Sequence, residues 1–367
     1  NADVRINNMI KKIVELTKKL ISFKTTINNI EELNNAVTLI KKELFNFTIE
    51  EYEKNKIKSL LIYNHKPKNN KKFRLILNGH LDTIPGKSNQ YIPKIVDDRL
   101  YGVGSLDMKG GLSVITCVFK ELSKNLSYPL ALQITTDEET GGFFGTKYQI
   151  ENGVSADFVI TAEPTHLDIV YKAKGILWLK ANFIGKSFHS AYPWNGENAI
   201  EKANNFINKL TKIIKNPKKN QWKTTVNLAS INSSNTAFNK IADNCELWLD
   251  IRFIPEDKKI LNKIKKLLSN KDDLKILVNE PSFLVDKNNK NILKLKKITK
   301  DILGKNPVLR GANGSSDARH YSYINVAAIE FGPKGGGIGS DDEYVEISSL
   351  NNFYLIMKKF LLDLNHH

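Results

Sequence analysis

The sequence predicts an α/β protein with a mixed sheet, helices on both faces, and a second domain inserted into the chain. Apolar runs of strand length alternate with amphipathic helical patterns through the first half of the sequence. Polar and acidic residues stand just after several of these runs, as at the carboxyl ends of strands in an α/β sheet. Residues 172–284 follow the order strand, helix, strand, strand, helix, strand, which is typical of a ferredoxin-like domain.

The first part of the chain begins with a helix predicted over residues 3–22, where Ile6, Ile10, Ile13 and Leu20 recur at helical spacing. The Lys- and Asn-rich residues 65–72 are interpreted as a solvated loop. The other elements expected here are a helix at 30–45, strands at 47–52, 59–63, 73–77, 130–135 and 157–161, and a helix that Gly110-Gly111 opens and that runs to Leu122.

The inserted domain contains strands predicted at 176–183, 224–231, 245–253 and 274–278, and helices at 198–214 and 258–268. A Lys-rich helix at 288–303, a strand at 326–331 and a terminal helix at 350–364 then complete the first domain. The predicted organisation is a discontinuous first domain of residues 1–171 and 285–367, and an inserted second domain of residues 172–284.

Length and composition are those of a globular protein of two domains, since the 367 residues are 41% hydrophobic. No apolar run approaches the roughly eighteen residues of a membrane span, and the N-terminus lacks a signal-peptide pattern. Cys117 and Cys245 fall within a predicted helix and strand, which suits buried thiols in a reducing compartment. We therefore expect a cytoplasmic protein with no membrane partner.

The net charge of +16 is the one feature that suggests nucleic-acid binding. The lysines are spread over most of the chain, however, and no recognisable nucleic-acid-binding motif accompanies them. We expect no nucleic-acid partner. A positive field would still favour acidic small-molecule substrates.

Four separate loops carry candidate metal ligands: His80, Asp107, Glu139 and Glu163. Each follows an apolar run or a Gly-rich turn, and imidazole and carboxylate groups suit zinc, or cobalt or manganese in its place. Asp82 stands two residues after His80 on the same extended segment, from which it can orient the ring. Any one of these residues alone also fits a solvated loop end, but the set predicts a metal site.

Glu138 precedes the candidate ligand Glu139 and points elsewhere, which makes it the candidate general base for taking a proton from water. A carboxylate that bridges two ions would extend the site to two metals.

These residues lie in segments that resemble the M20 family of metallopeptidases and amidohydrolases, the group of acetylornithine deacetylase, succinyl-diaminopimelate desuccinylase, aminoacylase and glutamate carboxypeptidase. The resemblance covers nearly the whole chain. The segments that carry it contain Gly79-His80-Leu81-Asp82-Thr83, Tyr101-Gly102-Val103-Gly104-Ser105-Leu106-Asp107, Asp137-Glu138-Glu139-Thr140-Gly141, Glu163-Pro164, Gly185 to Pro193 with His189, Asn198-Ala199-Ile200, Asp250-Ile251-Arg252 and Ser316-Asp317-Ala318-Arg319.

The resemblance implies that residues 1–171 and 285–367 form a zinc-hydrolase catalytic, metal-binding domain and that residues 172–284 form a dimerisation and lid domain. In the catalytic domain, Asp107 would bridge two zinc ions. His80 and Glu163 would complete one metal site, and Glu139 would serve the other. The resemblance also implies a cis peptide bond between Asp107 and Met108.

The resemblance further implies that Glu138 is the general base and that Asp82 supports the metal-binding histidine. His189, on the inserted domain, would reach the active site of the other subunit in a homodimer and stabilise the oxyanion of the tetrahedral intermediate.

One position departs from the family pattern. Members that this chain resembles carry a histidine in a Gly-Gly-x-His-Ser-Asp-Asp-Glu-Tyr-Val segment, where it closes the second metal site, and this chain has Gly339 there. Three explanations stay open: an engineered change, a natural enzyme with a weak second metal, or a non-catalytic homologue. We expect one firmly bound metal and a second that is weak or absent, unless His320 or Asp341 moves in as a ligand.

The predicted function is metal-dependent hydrolysis of an amide bond that removes a small acyl group from an N-acyl amino acid, as in acetylornithine deacetylase or succinyl-diaminopimelate desuccinylase. Arg319 is the candidate ligand for a substrate carboxylate, because guanidinium binds carboxylate through two parallel hydrogen bonds. Arg252 is a weaker candidate, since its place in a strand beside Asp250 equally suits a structural ion pair. The alternatives are a carboxypeptidase or dipeptidase of the same family, or a catalytically impaired binding protein.

Overall fold

The computed structural model describes residues 2–67 and 72–365, so residues 68–71 of the predicted loop lie outside the described residues. The helices are α1 Ala2–Ile21, α2 Ile30–Glu43, α3 Gly110–Leu122, α4 Thr146–Glu151, α5 Ala199–Ile213, α6 Ile260–Lys265, α7 Lys290–Leu303 and α8 Ile347–Leu364. The strands are β1 Thr48–Lys54, β2 Ile57–Tyr63, β3 Lys72–Phe73, β4 Leu75–His80, β5 Lys94–Val96, β6 Arg99–Tyr101, β7 Leu130–Thr135, β8 Ser155–Ala156, β9 Phe158–Thr161, β10 Ile169–Ala173, β11 Gly175–Ile184, β12 Thr225–Asn232, β13 Asn244–Phe253, β14 Asp273–Glu280, β15 Phe283–Leu284, β16 Leu309–Ala312, β17 Ala327–Glu330, β18 Gly335–Gly336 and β19 Tyr344–Glu346.

The chain divides into two compact units. The first contains Asn1–Tyr171, Val285–Arg310 and Ser316–His367, and the second contains Lys172–Leu284 and Gly311–Ser315. The short segment Gly311–Ser315 was predicted to belong to the first domain. It clusters with the second because Gly311 lies against the ring of Trp222, where a Cβ atom would come within 2.3 Å.

The first unit is built on a mixed sheet with the strand order β1-β2-β7-β4-β9-β17-β10. Its centre is parallel, since β4 pairs in parallel with both β7 and β9, and β9 with β17. Every residue of β4, β7 and β9 is buried. Because successive side chains of a strand point to opposite faces, both faces of this sheet are covered.

The carboxyl ends of these three central strands meet at one edge of the sheet. His80 is the last residue of β4 and pairs with Thr135, the last residue of β7. Thr161 ends β9 and pairs with Asn78 on β4. The segments that continue from these strands, with Glu138 and Glu163, therefore leave from neighbouring positions.

A second, small sheet of the first unit was not predicted from the sequence. Its strands follow the order β18-β19-β6-β5 and are two or three residues long, too short for a periodic pattern to show. β6 ends at Tyr101, directly before the loop of Asp107, and β19 holds it by antiparallel pairing.

The second unit has the predicted order of strands and helices. Its antiparallel sheet runs β12-β13-β11-β14, with α5 between β11 and β12 and α6 between β13 and β14. Its own core contains Leu177 and Leu179 of β11 together with Phe206 and Leu210 of α5. Helix α6 is shorter than predicted, because Leu267 N–H bonds to Ile264 O three residues back and tightens the last turn.

No helix in the described part of the chain is both long and apolar enough to cross a lipid bilayer.

Candidate active site

Three side chains of the first unit converge on one point. His80, Asp107 and Glu163 each offer a ligand atom, and these atoms all lie within 4.8 Å of one another. His80 Nε2 is 3.4 Å from Asp107 Oδ1. The sequence predicted these residues as ligands on separate loops, and the fold brings them together.

The loop of Asp107 has an irregular backbone. Gly104 adopts a left-handed conformation with φ +73, and neither Asp107 (φ −114, ψ 92) nor Met108 (φ −131, ψ 30) is helical. The peptide bond between Asp107 and Met108 is cis, which confirms the prediction. The loop leads directly into α3 at Gly110, where a Cβ would lie 2.6 Å from the carbonyl oxygen of Ser105.

The ring of His80 is oriented from its other nitrogen. His80 Nδ1 lies 2.9 Å from the carbonyl oxygen of Asp82 and 3.5 Å from its Oδ1 atom. The other carboxylate oxygen of Asp82, Oδ2, accepts a 2.9 Å hydrogen bond from the backbone N–H of Glu139. Asp82 thus joins the histidine strand to the turn of the glutamate pair, a link that the sequence did not reveal.

The glutamate pair lies on the short 3₁₀ turn Glu138–Thr140 that follows β7. Glu138 Oε2 is 4.0 Å from His80 Nε2, and its side chain is 13% exposed, so it faces the three-residue cluster from a nearly closed position. Glu139 is half-buried and is not one of the three clustered residues. Its role as a ligand stays a prediction.

Several hydrogen bonds that the sequence did not predict fix this turn. Asp137 accepts hydrogen bonds from Thr135 Oγ1 at 2.7 Å and from the N–H of Phe144 at 2.8 Å. The carbonyl oxygen of Gly141, at the end of the turn, accepts a 2.6 Å hydrogen bond from Arg319 Nη2. The only sequence signal for these partners was that they stand in the family-like segments.

Arg319 was predicted as a ligand for the substrate carboxylate. The structure places it almost completely out of solvent, with Nη1 donating to Ser316 O at 2.8 Å and Nη2 donating to Gly141 O. These hydrogen bonds compete with the proposed contact, which stays a prediction.

The buried carboxyl groups of the site resist ionisation in the metal-free protein. Burial, together with the negative charge of Asp107, raises the pKa of Glu163 well above its usual range. Burial also raises the pKa of Glu138 strongly, although positive His80 opposes it, and raises the pKa of Glu139 to about 7. Burial alone would lower the pKa of His80, but Asp107 and Asp82 raise it well above its usual value. The site therefore gathers several acidic groups in a poorly solvated place, which disfavours their charged forms.

The donor set fits a divalent cation. His80 Nε2 and Glu163 Oε1 are buried and make no hydrogen bond with any described residue. Leaving such groups without a partner is costly, and imidazole and carboxylate donors within a few ångströms of one another suit zinc, cobalt or manganese. A cation among these atoms would satisfy both orphaned groups and offset the carboxylate charge.

Gly339, which stands where the family pattern has a histidine, has room for a side chain in the structure. Gly339 has a left-handed backbone with φ +72, and a Cβ there would meet only Ile84, at 3.4 Å. The two side chains suggested as replacement metal ligands already have other partners. His320 is fully buried with Nε2 2.9 Å from Gly141 O, and Asp341 is paired with Lys87.

Two predicted site residues belong to the second unit. His189 is exposed, and its Nδ1 accepts a 3.2 Å hydrogen bond from the N–H of Ala191. Arg252 donates from Nε to Asp250 Oδ1 at 2.8 Å and from Nη2 to Oδ2 at 3.1 Å, the ion pair that its sequence context suggested. A catalytic role for His189 and a substrate contact for Arg252 stay predictions.

Comparison with known proteins decides the family. Residues 76–363 match the family model described as peptidase family M20/M25/M40. The chain belongs to this family. It is therefore a hydrolase, and the resemblance inferred from the motifs is confirmed.

Two named relatives match this M20 chain, one over most of its length and the other over about half of it. It is 25% identical over 373 residues to a succinyl-diaminopimelate desuccinylase of Nitratiruptor sp., covering 95% of this chain and 99% of the relative. It is 35% identical over 195 residues to an acetylornithine deacetylase of Aliivibrio salmonicida, covering 49% and 51% of the two chains. The YXEP protein of Bacillus subtilis, described as a dinuclear metal-binding peptidase of the M20 family, shares the fold with a TM-score of 0.72 at 12% identity, covering 98% of this chain and 99% of that chain.

Proposed function

We propose that this M20 hydrolase removes a small acyl group from an N-acyl amino acid, as a metal-dependent deacylase of the succinyl-diaminopimelate desuccinylase or acetylornithine deacetylase type. The observation that carries the proposal is the cluster of His80, Asp107 and Glu163, whose ligand atoms lie within 4.8 Å with Glu138 beside them. The two named deacylases among the relatives support the substrate class.

His80, Asp107 and Glu163 would hold the firmly bound ion, with zinc proposed and cobalt or manganese as substitutes. When bound, the cation supplies Lewis-acid chemistry, since it acidifies water and polarises the substrate carbonyl. Glu139 is the proposed ligand of a second ion, which lacks a protein ligand at Gly339 and is therefore weakly held or absent.

Glu138 is the proposed general base. Its carboxylate takes the proton of the attacking water while the oxygen bonds to the amide carbon, and its carboxyl group returns that proton to the amine when the C–N bond breaks. Burial supports this role, because it raises the pKa of Glu138 and so makes its carboxylate a stronger base. Asp82 supports it indirectly by orienting the ring of His80 and holding the backbone of Glu139.

The proposed assembly is a homodimer formed through the second unit, with His189 serving the active site of the other subunit. β12 is an edge strand of that unit's sheet and exposes apolar Leu228 and Ile231, a surface on which a second copy of the chain can pair. A cytoplasmic location is proposed because Cys117 and Cys245 are both free thiols.

A carboxypeptidase or dipeptidase activity is the second candidate, because the chain shares its fold with M20 peptidases. A screen separates the two. N-succinyl-diaminopimelate, N-acetylornithine, N-acetyllysine and dipeptides are each offered to the protein with added zinc or cobalt and after chelation. We expect metal-dependent release of succinate or acetate, whereas hydrolysis of dipeptides alone would support the peptidase.

The proton-transfer role is tested with Glu138→Gln, which keeps the shape of the side chain but cannot take a proton. Loss of a general base typically costs about 10²- to 10⁴-fold in kcat. The matched control is Glu151→Gln, an exposed carboxylate paired with Lys54. Equal turnover of the Glu138→Gln protein and the wild type would exclude the proposed mechanism.

A further inference from the structure

Glu343 lies four residues after Gly339, in the segment that matches the family pattern. No role has been assigned to its side chain. Its side chain is 3% exposed. Glu343 Oε2 accepts a 3.0 Å hydrogen bond from the N–H of Gly104, and Oε1 accepts 3.0 Å hydrogen bonds from the N–H groups of Leu106 and Asp107. One buried carboxylate thus binds three backbone donors of the loop that carries a proposed metal ligand.

Backbone hydrogen bonds from Ser105 N–H to Gly102 O at 3.0 Å and from Lys109 N–H to Gly104 O at 2.8 Å brace this loop from within. Its left-handed Gly104 and non-helical Asp107 belong to no strand ladder, so their N–H groups need acceptors from elsewhere. Glu343 itself is fixed from both sides. Its carbonyl oxygen accepts the N–H of Gly102 at 3.1 Å, and the next residue, Tyr344, pairs with Tyr101 in the small sheet.

We propose that Glu343 is a positioning residue that holds residues 104–107 so that the Asp107 carboxylate faces His80 and Glu163. The inference rests on the proposed function only in taking Asp107 as a metal ligand. It deepens that proposal, because it gives the segment that lacks a metal ligand at Gly339 a role in positioning Asp107.

The chemistry requires a carboxylate at this position. Three converging N–H groups form a concave patch of partial positive charge, which favours an anion with two acceptor oxygens. A glutamine has one acceptor oxygen, and its NH₂ group would oppose at least one N–H donor.

The test uses Glu343→Gln in the full chain, with Glu346→Gln as the matched control. Glu346 ends β19, the short strand that begins directly after Glu343, but its carboxylate pairs with Lys334 at 3.0 Å. Hydrogen exchange of the metal-free proteins reports on residues 104–107, and zinc titration reports on the ligand set. We expect exchange of the loop amides to quicken about tenfold or more and zinc affinity to fall about 10- to 100-fold, as for other residues that orient ligands.

A merely structural role would give a different result. Exchange would then quicken throughout the first unit, while the folded molecules would bind zinc as tightly as the wild type, and this outcome would overturn the proposal. The proposal would also be overturned if the loop amides of Glu343→Gln exchanged at the wild-type rate and the variant bound zinc with wild-type affinity. If that variant does not fold, Glu343→Asp, which is one methylene too short to reach all three donors, decides by the same two measurements.

The two proposals fail separately. If the wild type binds no zinc, cobalt or manganese, the proposed metal site is wrong. Hydrogen exchange of the Gly104, Leu106 and Asp107 amides still tests the positioning role of Glu343 in that case. Faster exchange in Glu343→Gln but not in Glu346→Gln supports this role, and unchanged exchange overturns it.

Discussion

Arg319 Nη2 lies 2.6 Å from the carbonyl oxygen of Gly141, to which it donates a hydrogen bond. The same oxygen is 2.9 Å from His320 Nε2. Gly141 ends the turn of Glu138 and Glu139 in a left-handed conformation with φ +112. Arg319 and His320 therefore hold the turn that carries Glu138, the proposed general base.

Arg319→Lys should lower kcat by about 10- to 100-fold, because a misplaced catalytic group reacts poorly even when it is still present. If Arg319 acts only through the turn, KM for an N-acyl amino acid should change much less. Steady-state kinetics of Arg319→Lys and of the surface control Arg74→Lys measure this split. A large rise in KM that disappears with a substrate lacking the carboxylate would instead support Arg319 as the substrate ligand.

Gly339→His should raise bound zinc from about one towards about two ions per chain and raise turnover with it. The structure leaves room for the side chain, but the left-handed backbone at φ +72 should cost about 1 kcal/mol of stability. Gly304→His is the control, because Gly304 has the same conformation with φ +70 at the end of α7 and should lose stability without gaining metal. Two tightly held ions in the protein as it stands, or a gain of metal without a gain in rate, would contradict this account.

His189 is predicted to act in the active site of the other subunit. Mixing equal amounts of His189→Ala and Glu138→Gln chains should then restore about one quarter of wild-type activity, because half of the dimers are mixed and one of their two sites is complete. Activity of the mixture is measured after subunit exchange, with each variant alone as the control. An inactive mixture of exchanged subunits would argue against action in trans.

Glu330 predicts how the stability of the metal-free protein depends on pH. Burial raises its pKa from 4.5 to about 7, although the hydroxyl of Ser316 donates to it. The folded state therefore holds the proton more tightly than the unfolded state. The free energy of unfolding should fall as pH rises from 4.5 to 7 and level off above that, by on the order of 3 kcal/mol at most for this group.

Urea unfolding of the chelated wild type and of Glu330→Gln between pH 5 and pH 8 measures this contribution. The variant should lose less stability over that range than the wild type. The exposed control Glu151→Gln should follow the wild type. Identical pH dependence in wild type and Glu330→Gln would show that the buried carboxyl does not carry the effect.

The sequence by itself determined the family, the type of fold and the candidate metal ligands. Helix α3, the strands of the inserted unit and the positions of His80, Asp107 and Glu163 after apolar runs or Gly-rich turns all follow from local patterns. Burial imposes a period on each element, and Gly-rich turns mark where an element ends, so a linear chain records both. The missing ligand at Gly339 was also visible, because a glycine offers no donor atom.

The tertiary structure alone decided which side chains hold these residues in place. The hydrogen bonds from Arg319 to Gly141 and from Leu106 to Glu343 join residues 178 and 237 positions apart. No periodicity relates such positions, because the pairs meet only after the sheet has brought distant loops to one edge. Arg319 shows the consequence. Its charge predicted a substrate ligand, and only the fold revealed the two backbone carbonyls to which it also donates.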